Sequence, residues 1–213
     1  AAAAAGGLQH PRRRHVLAAG APPTAPYAKS CLVFLGSSFG VKPDYRRDTE
    51  EFGRLLADRG YVLVYGGATS GLMGVVADGA SQAGGAVHGV ITEDLVGREI
   101  AHRGLARLET VSTMHERKAR MLELSTMIVG LPGGIGTWEE LLEALTFAQL
   151  GYHDKPIGVL NTQGYYDPLI QMLDKAVQEG FMRPELKSYL VVGSDPADLL
   201  NKLENYAPTR VVK

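Results

Sequence analysis

Seven short runs of β-branched and other apolar residues recur between residues 31 and 192, and the stretches between them read as amphipathic helices. Several runs, such as Ile128-Val129-Gly130-Leu131, are apolar throughout instead of alternating, the pattern of strands covered by helices on both faces. A parallel, doubly wound (Rossmann-like) α/β sheet in a single domain accommodates this best. Strands are predicted at Cys31–Leu35, Tyr61–Tyr65, Val87–Ile91, Arg107–Thr110, Met127–Leu131, Ile157–Leu160 and Tyr189–Val192. Helices are predicted at Tyr45–Arg59, Leu72–Ala83, His115–Ser125, Thr137–Leu150, Tyr166–Glu179 and Ala197–Asn205. In such sheets ligands sit beyond the carboxyl ends of the strands, near the switch in strand order, so the loops that follow strands are where chemistry belongs.

Composition narrows the classes of partner. The 213 residues are about one domain plus extra chain, and 45% hydrophobic content suffices for a sizeable core. A formal net charge of −1 supplies no general positive field, so a nucleic-acid partner is not expected. Cys31 stands alone, which excludes an internal disulfide and a cysteine-built zinc site. No run approaches the roughly 18 to 20 apolar residues that span a bilayer, so a soluble, cytoplasmic protein without membrane contact is expected. Residues 1 to 43 contain Arg12, Arg13, Arg14, Lys29 and Lys42 but no acid. The stretch 1–29 is expected to be a disordered tail or an organellar targeting segment, 30–208 the folded domain, and 209–213 a second tail.

Three predicted strands run into glycine-rich loops: Gly36-Ser37-Ser38-Phe39-Gly40, Gly66-Gly67-Ala68-Thr69-Ser70-Gly71-Leu72-Met73-Gly74, and Pro132-Gly133-Gly134-Ile135-Gly136-Thr137. Glycine removes the Cβ that blocks a phosphate from backbone N–H groups, and a helix N-terminus favours an anion. The third loop is the most informative, with Thr137 as a candidate helix cap. Each loop also has a plainer reading as a tight βα turn. None ends in the Gly-Lys-Ser/Thr of a nucleoside triphosphatase, and none reproduces a dinucleotide fingerprint. Glu140, three residues past Thr137, brings a carboxylate near the loop. Arg117 and Lys118, at the start of another predicted helix, oppose its dipole and call for an anionic partner or for compensation by Glu116 and Glu123. No clustered ligand set for a metal is apparent.

Met114-His115-Glu116-Arg117-Lys118 together with Pro132-Gly133-Gly134-Ile135-Gly136-Thr137-Trp138-Glu139-Glu140 resembles the paired signature of the LONELY GUY (LOG) cytokinin riboside 5'-monophosphate phosphoribohydrolases. Val33–Ser38, Tyr65-Gly66-Gly67, Gly71-Leu72-Met73-Gly74, Thr146–Gly151 and Gly164–Leu169 are also similar to that family. The resemblance covers about residues 31 to 208. It implies hydrolysis of the N-glycosidic bond of N6-modified adenosine monophosphates, with release of the free base and ribose 5-phosphate and no cofactor or metal. It further implies Arg117 and Glu140 as the catalytic pair. Glu99, Lys118, Gly133, Gly134, Ile135, Gly136, Thr137, Trp138, Glu139 and Thr146 correspond to substrate contacts, and a homodimer is implied. Ala68 and Phe39 depart from the family pattern near the pocket. The family has also been labelled lysine decarboxylase, but nothing in this chain resembles a pyridoxal phosphate site. Two rival readings are an AMP nucleosidase and a non-enzymatic carrier of a phosphorylated cofactor. The acid that protonates the leaving base stays open among His88, His102, His115 and several aspartates.

Overall fold

The computed structural model describes residues 27–96, 101–105 and 107–207. Seven strands, β1 (Ser30–Phe34), β2 (Val62–Tyr65), β3 (Val87–Thr92), β4 (Arg107–Val111), β5 (Met127–Gly130), β6 (Ile157–Leu160) and β7 (Leu190–Gly193), form one sheet. Its order is β4-β3-β2-β1-β5-β6-β7 and every pairing is parallel. The chain winds outward from β1 in one direction, then returns to place β5 on its other side, so the switch in strand order falls between β1 and β5.

Successive residues of the central strands enter opposite cores, which is why these strands are apolar throughout. Cys31, Val33, Leu63, Tyr65, Met127 and Val129 pack on one face under α1 (Pro43–Asp58), α2 (Leu72–Gln82) and α7 (Pro196–Glu204). Leu32, Phe34, Val64 and Ile128 pack on the other under α4 (Met114–Leu124), α5 (Ile135–Gln149) and α6 (Asp167–Gln178). The short α3 (Glu93–Val96) follows β3 and has no counterpart in the predicted elements.

Helix boundaries carry two corrections. α5 begins at Ile135 with Gly134 as its N-cap and no side-chain cap, so Thr137 lies inside the first turn and does not cap it. The Thr137 side chain instead packs against Gly133, where an added Cβ would lie 2.1 Å from Oγ1. α4 begins at Met114 behind a capping box: Thr113 Oγ1 accepts from Glu116 N–H at 3.1 Å, and Glu116 accepts from Thr113 N–H at 3.2 Å. Glu116 is thereby committed to the helix end. Glu123 bonds to Arg120, so neither acid compensates Arg117 or Lys118.

Candidate active site

The buried Arg117 guanidinium spans the carboxyl ends of two strands. Its Nε donates to Val90 O at 2.9 Å and its Nη2 to Gly66 O at 3.0 Å. Only glycine permits the second bond, because a Cβ on Gly66 would lie 2.2 Å from Nη2. Nη1 reaches Met114 Sδ at 3.5 Å and lies 4.0 Å from Glu140 Oε1. Arg117 is thus anchored by backbone, with one edge turned toward the Glu140 carboxylate.

Glu140 lies in the second turn of α5, its side chain 16% exposed. At 4.0 Å the guanidinium is too far for a hydrogen bond, and burial dominates. Burial pushes the carboxyl up to about 7, against the pull of Arg117 and Lys118 and with the help of Glu139 and Glu143. Lys118 Nζ bonds to Glu139 at 2.6 Å and to Glu143 at 3.0 Å, bridging α4 and α5. Burial lowers the Lys118 ammonium, but those two carboxylates outweigh it and hold the group above the ordinary lysine range. Lys118, Glu140 and Glu143 border a cleft of about 180 Å³ between α4 and α5 whose wall includes Phe34, Leu122 and Phe147.

The three glycine loops have different parts. Gly71 and Gly74 are demanded by packing, since a Cβ on them would lie 2.3 Å from Ser37 C and 2.4 Å from Thr69 O. Gly36 lies against the backbone of Gly133. Gly134 and Gly136 alone among these face no atom of the described residues within 4 Å where a Cβ would stand. The tight-turn reading therefore holds for the second loop, whereas the helix N-terminus at Gly134–Gly136 is open to an approaching anion.

The sequence-predicted residues do not all converge. Lys118 and Glu140 line the α4–α5 cleft, Arg117 approaches Glu140, and Glu139 bonds to Lys118, whereas the loop from Gly133 to Trp138 forms the start of α5 and is not part of the cleft lining. Thr146 does not join them; it lies on a neighbouring face of α5, its hydroxyl donating to Leu142 O at 2.8 Å beside a second hollow of about 320 Å³. Glu99 falls outside the described residues, as do residues 1–26 of the expected tail. Of the three histidines, His115 lines the cleft. His88 is buried against Tyr27 and Glu109, and His102 faces Asp78. Glu143 and Met114, which touch Lys118 and Arg117, were not singled out as site residues. Their signal was spacing: Glu143 follows Glu139 by one helical turn, and Met114 precedes Arg117 by three residues.

Fold and site together define a class, the Rossmann-like α/β proteins with an open glycine-rich helix N-terminus at the switch in strand order. Residues 73–203 match the family model described as "Possible lysine decarboxylase". The chain is 45% identical to cytokinin riboside 5'-monophosphate phosphoribohydrolase LOG1 of Arabidopsis thaliana, over 84% of each chain. It is 43% identical to the enzyme LOG of Oryza sativa subsp. japonica, covering 83% of this chain and 73% of that one. The chain belongs to this LOG family. The molybdenum cofactor binding protein from Rippkaea orientalis shares the fold with a TM-score of 0.64 at 20% identity, covering 83% of this chain and 96% of that one.

Proposed function

We propose that this protein hydrolyses the N-glycosidic bond of cytokinin riboside 5'-monophosphates, giving the free base and ribose 5-phosphate. The observation that carries the reading is the Glu140 carboxyl, 16% exposed and 4.0 Å from an anchored arginine, one helical turn after Gly136 at the glycine-rich start of α5. The N–H groups at Gly133 to Thr137 take the 5'-phosphate, whose binding energy serves the reacting centre. As the C1'–N9 bond breaks, positive charge grows on the ribose, and the Glu140 carboxylate stabilises it and accepts the proton of the attacking water. Arg117, anchored by backbone, holds substrate oxygens and attracts the Glu140 carboxylate across 4.0 Å without a hydrogen bond. Lys118 adds positive potential, Glu139 and Trp138 border the substrate, and Glu99 takes ribose hydroxyls. The leaving base departs with a proton, and His115 is the histidine of the cleft.

The family label of lysine decarboxylase finds no support at this site. A Schiff-base lysine must shed its proton easily, whereas Lys118 is held by two carboxylates that favour its charged form. The carrier reading rests on likeness of fold alone, and it gives no reason to bury Arg117 and Glu140 together.

We also propose a homodimer through the outer face of α5. Ile135, Trp138 and Leu142 form a stripe 80%, 43% and 42% exposed, next to the hollow that holds Thr146. A second copy covering this stripe would turn Thr146 toward the partner's site, consistent with its separation from Glu140 within one chain.

The test is incubation with N6-isopentenyladenosine 5'-monophosphate, its riboside and AMP, following free base by chromatography with Glu140→Gln as control. Release from the monophosphate alone, with turnover of the variant down about 10² or more, is the expected outcome. Release from the riboside at a similar rate would remove the phosphate cradle from the reading, and a preference for AMP would make the protein an AMP nucleosidase.

A further inference from the structure

Three consecutive carbonyls of the β5–α5 turn are each held from outside it. Leu131 O accepts from Tyr166 Oη at 2.7 Å, Pro132 O accepts from Gly36 N–H at 3.1 Å, and Gly133 O accepts from Tyr165 Oη. In a planar trans peptide the carbonyl and the following N–H point in opposite directions. Holding Pro132 O therefore aims Gly133 N–H, and holding Gly133 O aims Gly134 N–H. Holding Leu131 O aims nothing, since the next residue is proline and has no N–H.

The tyrosines are delivered by a built turn. After β6, Asn161 Oδ1 accepts from Tyr166 N–H at 2.7 Å, and Asn161 Nδ2 donates to Asp167 at 2.7 Å. Gln163 (φ 56) and Gly164 (φ 71) sit in the left-handed region just before Tyr165, a conformation that costs energy at the non-glycine residue. The Tyr165 ring is then held edge-on between Tyr45, at a centroid distance of 5.9 Å, and Tyr166, at 5.1 Å. Among the described residues no atom lies within 4 Å of where a Cβ of Gly134 would stand, so the residue whose amide Tyr165 aims borders open space there.

We propose that Tyr165 is a positioning residue for phosphate recognition: through Gly133 O it fixes the Gly134 amide at the mouth of α5, whereas its neighbour Tyr166 serves only the fold. This rests on the reading that the glycine cradle takes the 5'-phosphate. A hydrogen bond to a charged acceptor is worth enough that loss of its aim weakens binding about tenfold.

The pair provides its own control, because Tyr165→Phe and Tyr166→Phe each remove one hydroxyl bond to a carbonyl of the same turn. Binding of ribose 5-phosphate by calorimetry, KM and kcat for the isopentenyl monophosphate, and the thermal midpoint would be measured for both variants and the wild type. Tyr165→Phe is expected to raise Kd for ribose 5-phosphate and KM about tenfold, with a smaller change in kcat and in thermal midpoint. Tyr166→Phe is expected to lower the midpoint and leave Kd unchanged. Tyr45→Leu, which loosens the Tyr165 ring without touching its hydroxyl, should shift Kd in the same direction by less. Wild-type affinity in Tyr165→Phe, or equal weakening in both phenylalanine variants, overturns the proposal. Failure of the wild type to bind ribose 5-phosphate at all overturns the cradle reading and this one with it.

Discussion

At the scale of single residues, the proposed chemistry rests on a guanidinium and a carboxyl 4.0 Å apart, both largely out of water. Because the native Glu140 carboxyl is raised from 4.5 to about 7, the folded protein binds more protons than the unfolded chain between those values. Stability therefore falls as pH rises through that window, and the full cost is present above it. Glu140→Gln should be more stable than the wild type at pH 8, by up to about 3 kcal/mol, the attraction to Arg117 being already contained in the raised value. That difference should vanish below about pH 4.5, which denaturant melts at the two pH values would show. If the ionised form acts on the ribose, kcat/KM should rise with pH through about 7, and a profile flat across that value would deny Glu140 the role. Gly66→Ala brings a methyl onto Arg117 Nη2 and should cost at least about tenfold in kcat/KM while changing the thermal midpoint little. The displaced group is the far end of a flexible side chain, so the fold yields more cheaply than the site does.

At the scale of elements, α4 matters because one short helix carries both cations of the site. Its N-terminus is fastened by the Thr113–Glu116 box, so Glu116→Ala should cost about 1 kcal/mol and loosen the first turn, on which Arg117 lies. Activity should fall further than stability alone explains, a difference that parallel denaturation and initial-rate measurements would reveal. The α4 boundary and its box were legible only in part: Met114-His115-Glu116-Arg117-Lys118 marked a helix start, but Glu116 looked like a partner for the cations. The capping reading needs the direction of its side chain, which runs back to Ser112 and Thr113. α5 was displaced by two residues for a similar reason, because Gly134 can cap a helix through backbone alone and leaves no side-chain signature.

At the scale of the whole molecule, the question is what covers the α5 face. A stripe of Ile135, Trp138 and Leu142 beside an apolar hollow is more exposed apolar surface than one helix of a monomer needs to leave in water. Light scattering should give twice the 22.8 kDa chain mass, and Leu142→Glu should halve it by placing charge in the contact. A monomer mass independent of concentration would contradict the dimer. If Thr146 serves the partner's site, the monomeric variant should also lose activity with its Arg117 and Glu140 untouched.

The sheet and its two layers of helices were readable from the chain alone, because strand and helix signals are local: apolar runs a few residues long, helical spacing, and glycine where strands end. Arg117 and Glu140 each lie in a contiguous motif and so could be named as candidates from the chain alone, but their approach to 4.0 Å exists only in the packed structure. Which of three similar glycine loops stays open was not readable, because it depends on what stands over the missing Cβ: Gly133 over Gly36 in the first, Ser37 and Thr69 over Gly71 and Gly74 in the second, and no described atom over Gly134 and Gly136 in the third. Nor was the committed state of Lys118, the face taken by Thr146, or the high pKa of Glu140, all of which arise from α4 and α5 lying side by side on the sheet. Local chemistry is written along the chain, whereas burial and distance between residues far apart in sequence exist only once the elements have packed.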